Sequence, residues 1–310
     1  MAALPQLSGD VYITDGGMET TLIFHQGMDL PSFAAFDLLR REEGAKALRE
    51  YYAPYLRIAR ERGVGAVLDT ATWRASPDWG AALGYSTEEL AHANRKAVAL
   101  LQELREGQDR ILISGCIGPR GDGYRPGELM AVAEAEAYHS PQAEWLAEAG
   151  ADLLSALTIT TASEATGIVR AAGAAGMEVV VSFTVETDGR LPSGQGLGDA
   201  IEEVDEETGG APAYFMVNCA HPAHFADVLE EGGWRDRIRG LRANASRKSH
   251  AELDESDELD PGDPVELASD YAALRPRLRK LNVVGGCCGT DHRHIAQLAD
   301  TWLAAAAGTA

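Results

Sequence analysis

Three of the four cysteines in this chain of 310 residues stand where they could act together. Cys287 and Cys288 are adjacent in the glycine-rich stretch "VVGGCCGTDHRHI", and Cys219 directly follows the apolar run "AYFMVN". Thiolates are good zinc ligands, and a catalytic zinc site uses three protein ligands and keeps a fourth position open. Two buried core thiols or a strained vicinal disulfide are the alternatives. The spacing favours a metal site and leaves both alternatives open.

Four histidines lie close to these cysteines in the sequence: His221, His224, His292 and His294. Any of them as a fourth ligand would close the site and make it structural. We place His292 and His294 in the first turn of the last helix, where a surface or supporting role is commoner. The sequence therefore favours a site of three cysteines with an open position.

Eight short apolar runs alternate with helical patterns along the chain. They begin at Val11, Gly65, Arg110, Ala151, Glu178, Ala213, Ile238 and Leu281. Runs that are apolar throughout are typical of parallel strands buried on both faces. Eight strand–helix units predict an α/β protein, a single (β/α)8 TIM-type barrel over residues 1–310. A doubly wound sheet is the second choice, but no Gly-x-Gly-x-x-Gly follows the first strand.

Helix boundaries are marked by short capping patterns. Residues 86 to 105 open with a capping box from Ser86 to Glu89. Ser140 and Pro141 predict the start of another helix, since proline is tolerated in a first turn. Thr290 or Asp291 is expected to cap the last helix.

The net charge of −21 argues against nucleic acid and anionic membrane surfaces as partners. No apolar run approaches the ~20 residues that cross a bilayer, and the N-terminus lacks a signal-peptide pattern. Four cysteines do not form a disulfide framework, so we expect a cytoplasmic protein. The sequence leaves open whether the chain forms a homo-oligomer.

The segments "DGGMET", "VNCAHP" and "GGCCGTDHRHI" resemble those of the homocysteine S-methyltransferase family, and the resemblance covers nearly the whole chain. It implies that Cys219, Cys287 and Cys288 bind Zn²⁺. It also implies methyl transfer from a small onium donor, of the S-methylmethionine or betaine type, to a thiol. Homocysteine is the expected acceptor and methionine the product. Because one barrel uses the whole chain, we expect a small donor rather than methylfolate or cobalamin.

The resemblance also implies roles for residues at the ends of other strands. Asp15 would meet the ammonium of the amino acid, and the backbone around Gly16, Gly17 and Met18 would meet its carboxylate. A plain turn is the alternative for this segment. We take Asp15, Thr158 and Asn218 as candidate catalytic residues. The remaining candidate substrate-binding residues are Glu19, Trp73, Arg74 and Glu186, with Trp79 as a second aromatic side chain for a cationic donor.

One position departs from the family pattern. Leu157 stands where family members carry a glutamate that holds the homocysteine ammonium, and leucine cannot offset a desolvated cation. Either Asp15 suffices together with Thr158 and a carbonyl, or Glu186, Glu19 or Glu164 compensates, or the acceptor is a different thiol. A zinc hydrolase is a rival function, although Asp15-Gly16-Gly17 replaces the His-x-His expected there. The acidic segment 250–263 is either a solvated loop or a lid.

Overall fold

A closed barrel of eight parallel strands forms the centre of the computed structural model, which describes residues 4–124, 127, 129–229, 232–256 and 258–307. Neighbouring strands pair in chain order, and the first pairs with the last. This confirms the predicted (β/α)8 fold. Among these residues no helix has both the length and the apolar character needed to cross a membrane. The strands are β1 Tyr12–Thr14, β2 Gly65–Asp69, β3 Ile111–Ile117, β4 Leu153–Ile159, β5 Val179–Phe183, β6 Tyr214–Asn218, β7 Ile238–Ala243 and β8 Val283–Gly286.

A principal helix follows each strand. The eight are α1 Glu42–Arg62, α2 Thr87–Arg105, α3 Val132–Glu148, α4 Ala162–Ala174, α5 Leu197–Thr208, α6 Pro222–Phe225, α7 Pro264–Leu274 and α8 His292–Ala307. The loops add short helices at Met18–Thr20, Pro77–Ala82 and His250–Asp254, a π turn at Thr21–His25, and 3-10 turns at Pro5–Ser8, Pro31–Phe33, Ala35–Arg40, Ala226–Val228 and Gly233–Arg237.

Two of the three predicted helix starts are confirmed. The Ser86 hydroxyl accepts a hydrogen bond from the Glu89 amide, and the Glu89 carboxylate accepts one from the Ser86 amide. Asp291 precedes α8 and accepts a hydrogen bond from the Arg293 amide at 2.9 Å. Each cap satisfies an amide that has no partner within its own helix.

The predicted helix start at Ser140 and Pro141 is wrong, because both residues lie inside α3. The Ser140 hydroxyl donates to the Glu136 carbonyl at 2.7 Å, within the same helix. Buried side chains occur on both sides of the proline, from Ala135 to Leu146. Packing of that face keeps the helix continuous, although proline removes one backbone hydrogen bond.

The interior of the barrel has an apolar layer and a polar layer. Side chains from the first half of the strands form a buried apolar cluster that includes Tyr12, Val67, Leu112, Leu153, Val180, Tyr214 and Val283. The next inward positions, two residues on, are buried and polar: Thr14, Asp69, Ser114, Ser155 and Ser182, joined by Asn218 and Arg242. The intervening residues, such as Ile13, Leu68 and Ile113, belong to the core outside the barrel. The alternation follows from the two-residue period of a strand and places polar groups at the carboxyl end, where barrel active sites lie.

Candidate functional site

Three thiols meet at the carboxyl ends of β6 and β8. The Cys219 sulfur lies 2.9 Å from that of Cys287 and 3.7 Å from that of Cys288, and all three lie within 4.8 Å of one another. Cys219 has a φ of +56° and Gly289 a φ of +79°, so the backbone leaves both strands in tight turns. These turns let adjacent cysteines face one point, which a straight strand would prevent. All four cysteines are free thiols.

The donor set fits zinc. Three thiolates bound to one zinc ion at ~2.3 Å in a tetrahedral arrangement lie roughly 3.8 Å apart. The Cys219–Cys288 distance of 3.7 Å matches this spacing, whereas Cys219 and Cys287 at 2.9 Å would have to separate to accept the ion. Within the described part of the chain, no other group of histidine, cysteine, aspartate or glutamate side chains has metal-binding geometry.

The four nearby histidines are not part of this cluster. His221 Nδ1 accepts a hydrogen bond from the Ala223 amide, and His224 contacts the Arg247 carbonyl. His294 is buried between Asp291 and the Pro261 carbonyl, and His292 is exposed. A zinc ion held by the three thiols would therefore have no fourth protein ligand among the described residues, as in a catalytic site.

The surroundings of the cluster favour a thiolate at one of its sulfurs. Hydrogen bonds from Cys219 and Cys288, together with the Arg242 charge and an Asn218 contact, hold the pKa of Cys287 well below its usual range. Donation to Cys287 and Cys288 raises the pKa of Cys219 well above its usual range. A thiolate is the form that binds a metal, so the site is prepared for one.

A cavity of about 380 Å³ opens beside the thiols. Of the predicted site residues, it is lined by Asp15, Gly16, Gly17, Met18, Glu19, Trp73, Arg74, Thr158, Asn218, Cys219, Cys287 and Cys288. Glu186 is not among the lining residues, and its carboxylate lies 3.2 Å from His250 Nδ1 instead. Direct contact of Glu186 with a substrate therefore has no support from the geometry.

A buried charge cluster that the sequence analysis missed holds Asp15. Its carboxylate lies 2.9 Å from Arg242 Nη2 and accepts a second hydrogen bond from the Tyr51 hydroxyl at 2.9 Å. Arg242 also bonds Asp69, and its guanidinium donates to the Gly16 and Gly286 carbonyls. Burial raises the pKa of Asp15, against the effects of the Arg242 charge and the Tyr51 hydroxyl. The sequence did contain a sign of this cluster: Arg242 lies within an apolar strand, and a buried charge is almost always paired with an opposite one.

Asn218 connects the cysteines to the end of β4. Its amide oxygen accepts from the Thr158 amide at 2.8 Å and from the Ser182 hydroxyl at 2.6 Å. Its amide nitrogen donates to the Thr158 hydroxyl at 2.8 Å and lies 3.8 Å from the Cys287 sulfur. Thr158 has a φ of +63°, a strained conformation for a β-branched residue, and these hydrogen bonds hold it.

The two tryptophans predicted for a cationic donor differ in position. Trp73 lines the cavity and donates its indole N–H to the Leu157 carbonyl at 3.1 Å. Trp79 is not a lining residue, and the Arg74 guanidinium lies 3.6 Å from its ring centre. The same guanidinium lies 4.5 Å from the Trp73 ring centre, so Arg74 contacts both tryptophans, and of the two only Trp73 lines the cavity.

The loops after β3 and β7 complete the cavity. The Tyr124 hydroxyl lies 3.7 Å from the sulfurs of Cys219 and Cys288, and its ring stacks on His250 at 4.2 Å. From the acidic segment 250–263, Leu253, Asp254, Ser256, Glu258, Leu259 and Asp260 line the cavity. That segment forms a wall of the site, and sequence reasoning gave no role to Tyr124.

A (β/α)8 barrel whose three clustered thiols face a cavity at the carboxyl ends of the strands has the architecture of a barrel enzyme with a thiol metal site. The family model for homocysteine S-methyltransferase matches residues 12–302, and the chain belongs to this family of thiol methyltransferases. It is 25% identical over 253 residues to homocysteine S-methyltransferase YbgG of Bacillus subtilis (strain 168), covering 74% of this chain and 77% of that one. It is 28% identical over 206 residues to homocysteine S-methyltransferase of Escherichia coli (strain K12), covering 62% and 64%. The metallated form of the E. coli homocysteine methyltransferase MmuM has the same fold, with a TM-score of 0.71, 24% identity, and 94% and 96% coverage.

Proposed function

We propose that this protein moves a methyl group from a small onium compound to the thiol of homocysteine, with one zinc ion held by Cys219, Cys287 and Cys288. The observation that carries the proposal is the group of three thiols within 4.8 Å of one another, facing a cavity without a fourth protein ligand in the described chain. The relatives named above act on homocysteine, and MmuM has a metallated form. These names support the same acceptor and a metal here.

Bound zinc would supply the acidity that keeps the acceptor thiol as a thiolate at neutral pH. The thiol proton goes to solvent, and the sulfur lone pair forms a bond to the methyl carbon of the donor. The bond from that carbon to the positively charged sulfur or nitrogen breaks, and its electron pair stays with the departing atom. The donor leaves as a neutral thioether or amine, so the step needs no general acid.

The chain's own residues bind and orient the two reactants. Gly16, Gly17 and Met18 line the cavity beside Asp15. The Gly17 amide already donates to the Thr290 carbonyl at 3.0 Å, so the acceptor carboxylate would meet the backbone of Gly16 and Met18. Trp73, whose ring the Arg74 guanidinium also contacts at 4.5 Å, would be the aromatic side chain that meets the cationic donor. The loops after β3 and β7 enclose the reactants and limit the access of water. Holding sulfur and methyl in line is the main source of catalysis in such a reaction.

The test is an assay of methyl transfer by the zinc-loaded full chain. Homocysteine is the acceptor, with S-methylmethionine and betaine as separate donors, and methionine is measured. We expect methionine with at least one donor and none after removal of zinc by a chelator. The proposal would be contradicted if neither donor gave methionine, or if the protein made as much methionine after chelation as before it. Hydrolysis of an ester or amide by the same protein would instead indicate a zinc hydrolase.

Leu157 favours a second candidate, in which the acceptor is a different thiol. Its apolar side chain lines the cavity where the family pattern has a carboxylate. A panel of thiols in the same assay tests this candidate, because another thiol should then have a higher kcat/KM than homocysteine.

We also propose that residues 1–310 act as one catalytic domain, and that the four free thiols function in a reducing compartment such as the cytoplasm.

A further inference from the structure

The acceptor ammonium is a cation that the cavity must compensate, and two of the carboxylates that line the cavity are already engaged by Arg242. Leu157 supplies no charge, and Asp15 already has the Arg242 guanidinium at 2.9 Å and the Tyr51 hydroxyl at 2.9 Å. Asp69 is bonded to the same guanidinium. An acceptor ammonium buried beside the thiols would be poorly compensated by these residues alone.

Three glutamates could replace a carboxylate at position 157, and their contacts separate them. Glu164 is buried and is engaged by His139 Nε2 at 3.0 Å and by the Arg120 amide at 2.7 Å. Glu186 bonds His250 and does not line the cavity. Glu19 does line the cavity. Of these three glutamates only Glu19 lines the cavity, next to Asp15 at the end of β1, whereas the acidic side chains of segment 250–263 line it from the loop after β7.

Glu19 is close to the reacting end of the cavity. Its charge acts on the Cys116 thiol and on Arg74, and the charges of Cys287 and Asp15 act on it in turn. Among the described residues, no other side chain forms a hydrogen bond or an ion pair with its carboxylate. Burial, with added repulsion from Cys287 and Asp15, raises the pKa of Glu19 to about 7, against a hydrogen bond from its own backbone amide and the Arg242 charge. A carboxylate in this state gains more from a cationic partner than one already paired.

We propose that the Glu19 carboxylate binds the ammonium group of the thiol amino acid and takes the place of the family glutamate that Leu157 lacks. This rests on the proposed function for the identity of the acceptor. On this proposal, the loop after β1 makes the protein prefer a thiol amino acid to a simple thiol. The carboxylate that binds the ammonium comes from the end of β1 here, whereas the family pattern has it at the end of β4, in the same cavity.

The test is calorimetric binding of two thiols to the zinc-loaded full chain under reducing conditions. Homocysteine carries the ammonium, and 4-mercaptobutanoate is the same molecule without its amino group. We expect the protein to prefer homocysteine by roughly 10- to 150-fold, the value of a charge-assisted hydrogen bond in a closed site. Glu19→Gln should remove most of this preference and leave 4-mercaptobutanoate binding within about twofold. Glu186→Gln is the matched control and should keep the preference.

Retention of the preference in Glu19→Gln, or equal loss in Glu186→Gln, would overturn the assignment of Glu19, as would a wild type without any preference. Zinc content is measured in each variant, so that a lost metal is not mistaken for a lost ammonium contact. The function is tested separately by methyl transfer from S-methylmethionine. A protein that binds homocysteine through Glu19 but makes no methionine with either donor would contradict the proposed function and leave this inference standing.

Discussion

Asp15 Oδ1 lies 2.9 Å from Arg242 Nη2, and both side chains are almost completely buried. Arg242 reaches Asp69 as well, so one guanidinium compensates two carboxylates from β1 and β2. The same guanidinium donates to the Gly16 and Gly286 carbonyls, at 3.3 and 3.1 Å. The pair therefore fixes the two loops that carry the acceptor segment and the adjacent cysteines.

Arg242→Leu should strongly destabilise the fold, because it leaves two buried carboxylates without a cation. Breaking one side of a buried ion pair costs about 3–5 kcal/mol. Tyr51→Phe removes one hydrogen bond from the same carboxylate and should cost about 1 kcal/mol. The free energy of unfolding from denaturant titration gives both values. Similar losses in the two variants would show that the ion pair contributes little.

Cys219→Ala, Cys287→Ala and Cys288→Ala should each lose bound zinc, because two thiolates do not hold the ion tightly. Cys116→Ala is the control, since Cys116 is also a free thiol of the cavity but is not part of the cluster. Elemental analysis after dialysis should show about one equivalent of zinc in the wild type and in Cys116→Ala. Zinc retained equally by all four variants would remove the proposed metal site.

Asp15→Asn should weaken homocysteine binding and leave the zinc content unchanged. A carboxylate accepts more hydrogen bonds than the two that Asp15 makes to Arg242 and Tyr51, so it can also meet an ammonium. Because Arg242 and Tyr51 already engage this carboxylate, we expect KM for homocysteine to rise roughly 2- to 10-fold, less than in Glu19→Gln. An unchanged KM, with the variant folded and loaded with zinc, would limit Asp15 to holding Arg242.

Asn218→Ala should lower both zinc affinity and kcat/KM. The side chain lies 3.8 Å from the Cys287 sulfur and holds Thr158 at a positive φ through two hydrogen bonds. Loss of a residue that supports metal ligands typically costs 10- to 100-fold in affinity or activity. Ser182→Ala, which removes one neighbour of Asn218, is a milder control. Zinc competition with a chelating dye and steady-state kinetics would measure the two effects.

Glu19→Gln should stabilise the metal-free protein above pH 7. The pKa of Glu19 is about 7 in the folded state against an ordinary value of 4.5, so the folded protein binds the proton more tightly than the unfolded chain. The wild type therefore loses stability as pH rises from about 4.5 to 7. Glutamine cannot ionise, so the variant escapes this loss. Melting temperatures of both proteins at pH 5 and pH 8 give the comparison, and an equal difference at the two pH values would refute the shift.

Local patterns in the sequence determined the barrel and the metal candidates. The eight apolar runs predicted eight strands, because a strand buried on both faces must be apolar nearly throughout. Cys219, Cys287 and Cys288 stood out because their residue type and their positions after strands suffice to indicate a thiol site. The start of α3 was predicted wrongly at Ser140 and Pro141, because the packing of a long buried face outweighs one missing backbone hydrogen bond.

Only the tertiary structure decided which charged side chains share the cavity. Asp15 and Arg242 are 227 residues apart in the chain and meet because β7 lies near β1 once the barrel closes. Glu19, Glu164 and Glu186 are equivalent as sequence letters, but they differ in whether a partner already engages them and whether they line the cavity. Buried charges pair only when they lie within a few ångströms of each other. Residues on strands far apart in the sequence reach such distances only in the folded barrel, so local sequence patterns do not predict the pairing.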